Sequence, residues 1–281
     1  MQFAIRDYPS RKIFGAEGIR QWEERRLAIF GFYAKKEVVT AKHRDYRIVR
    51  THISRKPREN SLLTAVTGVL LMFVASLYAW QDGGGTMASY KGDSNAIFNG
   101  GEYIRLFTSQ LLHADIKHLL SNSVLFLFFS YLLFGYFGFW VFPVLTALLG
   151  SLVIYLTLLT YPPGISLLGA SGTVYLMAGF WFTCYICIER SRSLGRRIVH
   201  VLGISMILLI PSAVSPQVSY SSHAIGFAVG LSAGLVYYFL NRRDLLAREE
   251  RVPWAYEEQG EESGAEGEEA SPGEEKEPWV M

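Results

Sequence analysis

Hydrophobic positions in this chain run together in blocks bounded by charge rather than alternating with polar ones. Ser61–Trp80 contains no Asp, Glu, Lys or Arg, none occurs from Leu119 to Ile188, and none from Ile198 to Asn241. A helix crossing a bilayer takes about 20 apolar residues. The three blocks therefore hold one, three and two spans, and predict an all-α membrane protein with a six-transmembrane-helix bundle. Gly135-Tyr136-Phe137-Gly138 and Pro143 mark a turn between the second span, about Leu119 to Phe137, and the third, which ends before Tyr161. The fourth starts near Ser171 and stops at Ile188, the fifth fits Ile198–Ile210 with Pro211 and Pro216 beyond it, and the sixth runs from about Ser222 to Leu240.

Charge divides what lies outside the blocks. Residues 1–60 hold fifteen Lys or Arg against seven Asp or Glu, a net of about +8, and form a basic N-terminal region. Ile19, Trp22, Ile29 and Phe30 recur there at helical spacing, and Tyr46–Arg50 alternates weakly like a strand. Met1–Phe14 carries Arg6, Asp7, Arg11 and Lys12 without a continuous apolar run, so no signal peptide is expected. Residues 61–241 are the membrane domain. Residues 242–281 form an acidic tail of Glu pairs between Gly, Ser and Pro, a composition of disorder. The overall charge of +2 thus hides two opposed ends, which are expected to attract each other weakly. Basic flanks stay cytoplasmic, so the even span count, the basic start, Arg190–Arg197 and Arg242-Arg243 lead to the expectation that both termini are cytoplasmic. Between the first two spans lies a long connection, Gln81–Lys117, whose later part is apolar enough to lie against the membrane, with Arg105 snorkelling or capping helix carbonyls.

Few polar groups enter the blocks, and those few are the candidate chemistry. Ser171 stands between Gly169 and Gly172 where the fourth span begins, with Tyr175 one turn on. A serine hydroxyl needs a base within hydrogen-bond reach to act as a nucleophile. His223 opens the sixth span and is followed by Gly226, Gly230 and Gly234 in one stripe, a small-residue surface on which another helix can lie closely. His118 and Asn122 enter the second span on one face. Each feature also has a packing reading: Gly-Ala-Ser-Gly as helix-contact sequence, and His118 with Asn122 as polar glue worth about 1 kcal/mol. Asp115, in the loop ahead of His118, is a weaker candidate for a third triad member. Cys184 and Cys187 read as buried hydrophobes, His43 and His52 as surface residues, and His200 as an interfacial one.

Taken jointly, His118 and Asn122 in the second span, Gly169–Gly172 with Tyr175 in the fourth, and His223, Gly226 and Gly230 in the sixth resemble the rhomboid family of intramembrane serine proteases. The resemblance covers roughly 61–240. It implies catalysis by a Ser171–His223 dyad without an aspartate, an oxyanion site of His118, Asn122 and the Ser171 backbone, and transmembrane protein substrates met in the lipid bilayer. It implies no metal or organic cofactor and no nucleic acid partner. His113 falls where many members carry a second histidine. One departure is Ile104-Arg105, where the family has Trp-Arg. The rivals are a non-catalytic relative that binds or escorts membrane substrates and a small transporter. Spans without Asp, Glu, Lys or Arg speak against the transporter.

Overall fold

The computed structural model describes residues 46–209 and 219–253. The sequence-predicted helix around Ile19–Phe30, His43, Pro211, Pro216 and the acidic tail beyond Pro253 lie outside the described residues. Two units are distinguished. One comprises Met1–Arg47 and Arg251–Met281, of which only a few residues are described, among them Arg251 with its guanidinium over the Tyr46 ring. The other, Ile48–Glu250, contains all the helices described below.

After a strand, β1 (Tyr46–Arg50), and a single 3-10 turn, the helices run α1 (Ser61–Trp80), α2 (Gly85–Tyr90), α3 (Ser94–Phe98), α4 (Arg105–Leu111), α5 (Ile116–Phe137), α6 (Thr146–Leu158), α7 (Ser171–Ile188), α8 (Leu194–Leu209) and α9 (Tyr220–Ala247). Five stretches are long and apolar enough to cross a membrane: α1, α5, α6 with the turn Trp140–Leu145 before it, α7 and α9. The predicted fifth span, Ile198–Ile210, falls on α8. Its 16 described residues make about 24 Å of helix at 1.5 Å each, short of the roughly 30 Å hydrocarbon core.

Membrane helices bury their small and polar residues and turn their large apolar ones outward, the reverse of a soluble helix. On α1 the buried residues are Ser61, Ala65, Met72, Ser76 and Ala79, while Leu63, Leu70, Leu71, Val74 and Leu77 are exposed. In contrast, α7 is buried without interruption from Gly172 to Phe180, which makes it the central helix. Phe137, at the end of α5, sets its ring 5.4 Å from Phe180 of α7 and 5.1 Å from Tyr237 of α9, both edge-on, and so joins three helices at one end.

The closest packing is between α7 and α9. A Cβ on Gly226 would meet the carbonyl of Gly172, one on Gly230 that of Leu176, and one on Gly234 that of Phe180, all below 3.0 Å. Both series advance by four residues, so the two helices run in the same direction, turn against turn. The glycine stripe therefore serves the serine-bearing helix itself.

The long connection is built, not draped. Asp93 caps α3 by accepting from the N–H groups of Asn95 and Ala96, and also accepts from Ser166 Oγ at 2.9 Å. β2 (Gly92-Asp93) pairs antiparallel with β3 (Ser166-Leu167), just ahead of Ser171. Ile97 and Leu106 are buried with Ile154 and Leu158 of α6. Arg105 donates from Nη1 to the carbonyl of Ala88 and pairs through Nε with Glu102 at 2.7 Å, so it caps the end of α2. The N–H bonds of Ala96 foremost, against a smaller opposing effect of burial, hold the Asp93 carboxyl below its usual range near 3.8. Asp93→Ala is expected to cost about 1 kcal/mol, read as a lower melting temperature at neutral pH. Because the folded carboxyl titrates below the unfolded one, its contribution is present above about 3.8 and lost as pH falls further. The gap between the two proteins should therefore close in acid.

One expectation is corrected at the other end of the bundle. His52 is half-buried, not a surface residue: its Nε2 lies 2.7 Å from the Tyr136 carbonyl and its Nδ1 3.3 Å from Arg248 Nη1, tying the segment before α1 to the ends of α5 and α9. Glu189, at the end of α7, is buried and accepts from Thr51 Oγ1 at 2.9 Å. Arg50 and Arg55 both pair with Glu250. His200 is exposed, with Nδ1 2.7 Å from the Arg196 carbonyl.

Candidate active site

Ser171 is the first residue of α7 and half-buried. The chain reaches it through Gly169, whose φ of +105° is strained for any residue with a side chain. Space adds a second reason for glycine there. A Cβ would stand 2.7 Å from His118 Cε1, 3.0 Å from its Nε2 and 3.8 Å from Asn122 Nδ2. The structure thus brings His118 and Asn122, from the first turns of α5, against the segment that carries the serine. One N–H of Asn122 Nδ2 donates to the His118 carbonyl at 3.2 Å, and the amide's second hydrogen is left for another acceptor. The helix start adds backbone donors, since the first N–H groups of α7 have no acceptor within their own helix.

Gly172 and Gly226 bring α7 and α9 together beside the serine: a Cβ on Gly172 would meet Ser222 Oγ. Ser222 precedes His223, whose ring stacks on Tyr175 with centroids 4.0 Å apart and planes 14° from parallel. Tyr175 is one turn beyond Ser171. His223 is buried, and its Nε2 has no hydrogen-bond partner, so it is not bonded to Ser171 in this structure. Ser219 caps α9 by accepting from the Ser222 N–H at 3.1 Å, and its Oγ is 3.1 Å from Tyr161 Oη, which fixes the approach to His223 from the preceding connection.

Asp115 is placed as a helix cap. Its carboxylate accepts the His118 N–H at 2.8 Å as the N-cap of α5. Cys184 is buried, with Sγ 3.7 Å from the Gly234 carbonyl, and Cys187 is half-buried, both as free thiols. Among the described residues no three His, Cys, Asp or Glu side chains are grouped to hold a metal ion.

Two polar residues behind the serine, Ser109 and Gln110, were not legible as part of the site. Gln110, in α4, accepts from Thr173 Oγ1 at 2.8 Å and donates to Ser151 Oγ at 3.0 Å, joining α4, α6 and α7. Ser109 accepts the Gly169 N–H on its carbonyl at 2.8 Å. His113 lies fully buried between them and α1, its ring 5.1 Å from that of His118. Burial, with the neighbouring His118 second and Asp115 opposing, pushes the His113 imidazole down to about 4. A folded pKa below the unfolded value near 6.5 means that this group's contribution to stability is full above 6.5 and is lost as pH falls toward 4. Ser109 and Gln110 gave only the signal of a polar pair in the first connection, whereas His113 was marked by the family resemblance.

The arrangement can support nucleophilic attack by a hydroxyl at a helix start, with a buried imidazole stacked on the ring one turn further along and nitrogen donors facing the loop before it. Residues 100–239 match the Rhomboid domain family. Among curated proteins none matches the chain.

Proposed function

The chain belongs to the rhomboid family of multi-pass membrane proteins, and from that premise we propose that it is an intramembrane serine endopeptidase cutting transmembrane segments of other proteins. The observation that carries the reading is His223, a buried imidazole stacked on Tyr175 one turn beyond Ser171, with Nε2 free to accept a proton. In the reaction Ser171 Oγ attacks the scissile carbonyl carbon while His223 takes the hydroxyl proton. The carbonyl oxygen becomes an oxyanion held by the Ser171 N–H and by His118 and Asn122. Collapse breaks the C–N bond as His223 passes its proton to the leaving amine, and water then releases the acyl group by the same steps.

The unbonded His223 Nε2 is also the observation that favours a second reading, a member that holds membrane proteins without cutting them. Catalytic hydrogen bonds are often long without substrate and tighten on binding, which favours the protease. Purified protein in liposomes with single-span substrates, products read by mass, decides between them. Cleavage at one bond supports the protease; substrate that is captured and stays intact supports the second reading.

The oxyanion assignment has its own test. His118→Ala or Asn122→Ala is expected to slow cleavage by about a hundredfold without abolishing it, because the backbone donor remains. Unchanged turnover in both single variants and in the double would return the pair to helix packing.

A further inference from the structure

The segment 105–113 stands directly behind the serine-bearing segment and is bonded to it at three points. The Gly169 N–H donates to the Ser109 carbonyl at 2.8 Å, Thr173 Oγ1 donates to Gln110 Oε1 at 2.8 Å, and the Ala170 N–H donates to His113 Nε2 at 3.3 Å. The segment is in turn fastened to α1, where Ser76 Oγ donates to the Leu111 carbonyl at 3.1 Å and Trp80 Nε1 to the His113 carbonyl at 2.9 Å. The peptide that joins Gly169 to Ala170, one short of the serine, is therefore gripped, through one imidazole, by a brace that ends on the first membrane helix.

We infer that His113 is a positioning residue for Ser171: its Nε2 accepts the Ala170 N–H and so fixes the direction of the adjoining peptide, of the Ser171 N–H and of its hydroxyl. The inference rests on the protease reading. His113 has no exposed surface, and its polar contacts are with main chain and with Ser76, so it does not touch a substrate. Its proton inventory follows from its neighbours. Nε2 accepts, so it carries no hydrogen; the hydrogen is on Nδ1, which lies 3.3 Å from both the Leu111 carbonyl and Ser76 Oγ. Ser76 spends its own hydrogen on Leu111, leaving its oxygen to accept. A protonated or reversed ring would present a hydrogen to the Ala170 N–H and push that peptide away. The His113 ring also stands edge-on to that of His118, so one displacement would disturb both the serine segment and an oxyanion donor.

Two substitutions of matched length separate an acceptor from mere bulk. His113→Gln can return an oxygen to the Ala170 N–H, whereas His113→Met fills similar space with no comparable acceptor. In liposomes with a single-span substrate, His113→Met is expected to lose about ten- to a hundredfold in kcat with KM within about twofold, and His113→Gln to recover most of it. Equal kcat in the two variants, or an effect confined to KM, overturns the inference. Nitrogen NMR of full-length protein with labelled histidine reads the ring without substitution. Hydrogen on Nδ1 is the expected result, and hydrogen on Nε2 overturns it whether or not either variant folds. Labelling of Ser171 by a fluorophosphonate, run alongside, keeps the two readings apart. An unlabelled, inactive wild type sinks the protease reading, while wild-type labelling that is unchanged in His113→Met sinks only the positioning role.

Discussion

Full-length protein carrying Ser171→Ala is expected to cut a single-span substrate more slowly than the unsubstituted chain by a factor on the order of 10⁴ or more, at nearly unchanged melting temperature. The hydroxyl removed is small and half-buried at the first residue of α7, so no large cavity opens and the fold loses little. What is lost is the only atom that can form the acyl bond in the proposed reaction. His223→Ala should remove as much rate, but it also strips the face of Tyr175 and leaves a gap between α7 and α9, so its melting temperature should fall. The double variant should be no slower than either single one, because residues acting as a unit are not additive. A Ser171→Ala protein that still cuts at the same bond would rule out the mechanism.

Gly230→Leu is expected to have the largest effect on the fold. Even the first carbon of a new side chain would overlap the Leu176 carbonyl, and Leu176 is in the fully buried part of α7. An alanine there must push the helices apart, at a cost of about 1–3 kcal/mol, and a leucine has nowhere to go. Because the same register sets His223 beside Tyr175, cleavage should fall in step with the melting temperature. Gly203→Ala, on α8, is the control: nothing lies within 4 Å of its position, so the melting temperature should hold or rise slightly. A Gly230→Leu protein with the wild-type melting temperature and activity would mean that α7 and α9 do not pack along this stripe.

The parts of this architecture that could be read ahead of the structure are those set by local composition. Charge cannot enter a bilayer cheaply, so the spans at Ser61–Trp80 and Ser171–Ile188 coincide with helices to the residue. Tyr175 stands four residues beyond Ser171, hence on the same helix face, a local spacing that lets it pack on an imidazole, and it stacks on His223. Partners chosen across long separations were not legible. The stripe at Gly226, Gly230 and Gly234 announces a close neighbour without naming it, and the neighbour is the serine helix. His52 looks like any polar residue in a basic segment, because its bonds reach Tyr136 and Arg248 far along the chain. The apolar character of the first connection fitted a surface-lying loop equally well. Ile97 and Leu106 fill a small core against α6, and Arg105 caps the end of α2.

The shared direction of α7 and α9 carries a rule of parity. Two crossings that point the same way cannot follow one another in a single chain unless the chain first travels back to the side from which it started. Gly172 meets Gly226 at one end, and Phe180 meets Gly234 further along, so both helices leave from the same level. The only helix described between them is α8. The connection from Ile188 to Tyr220 therefore covers that distance in reverse, and α8 is the described helix within it. The Arg50–Glu250 ion pair imposes the same arithmetic on the whole unit, since ends in contact demand an even number of crossings.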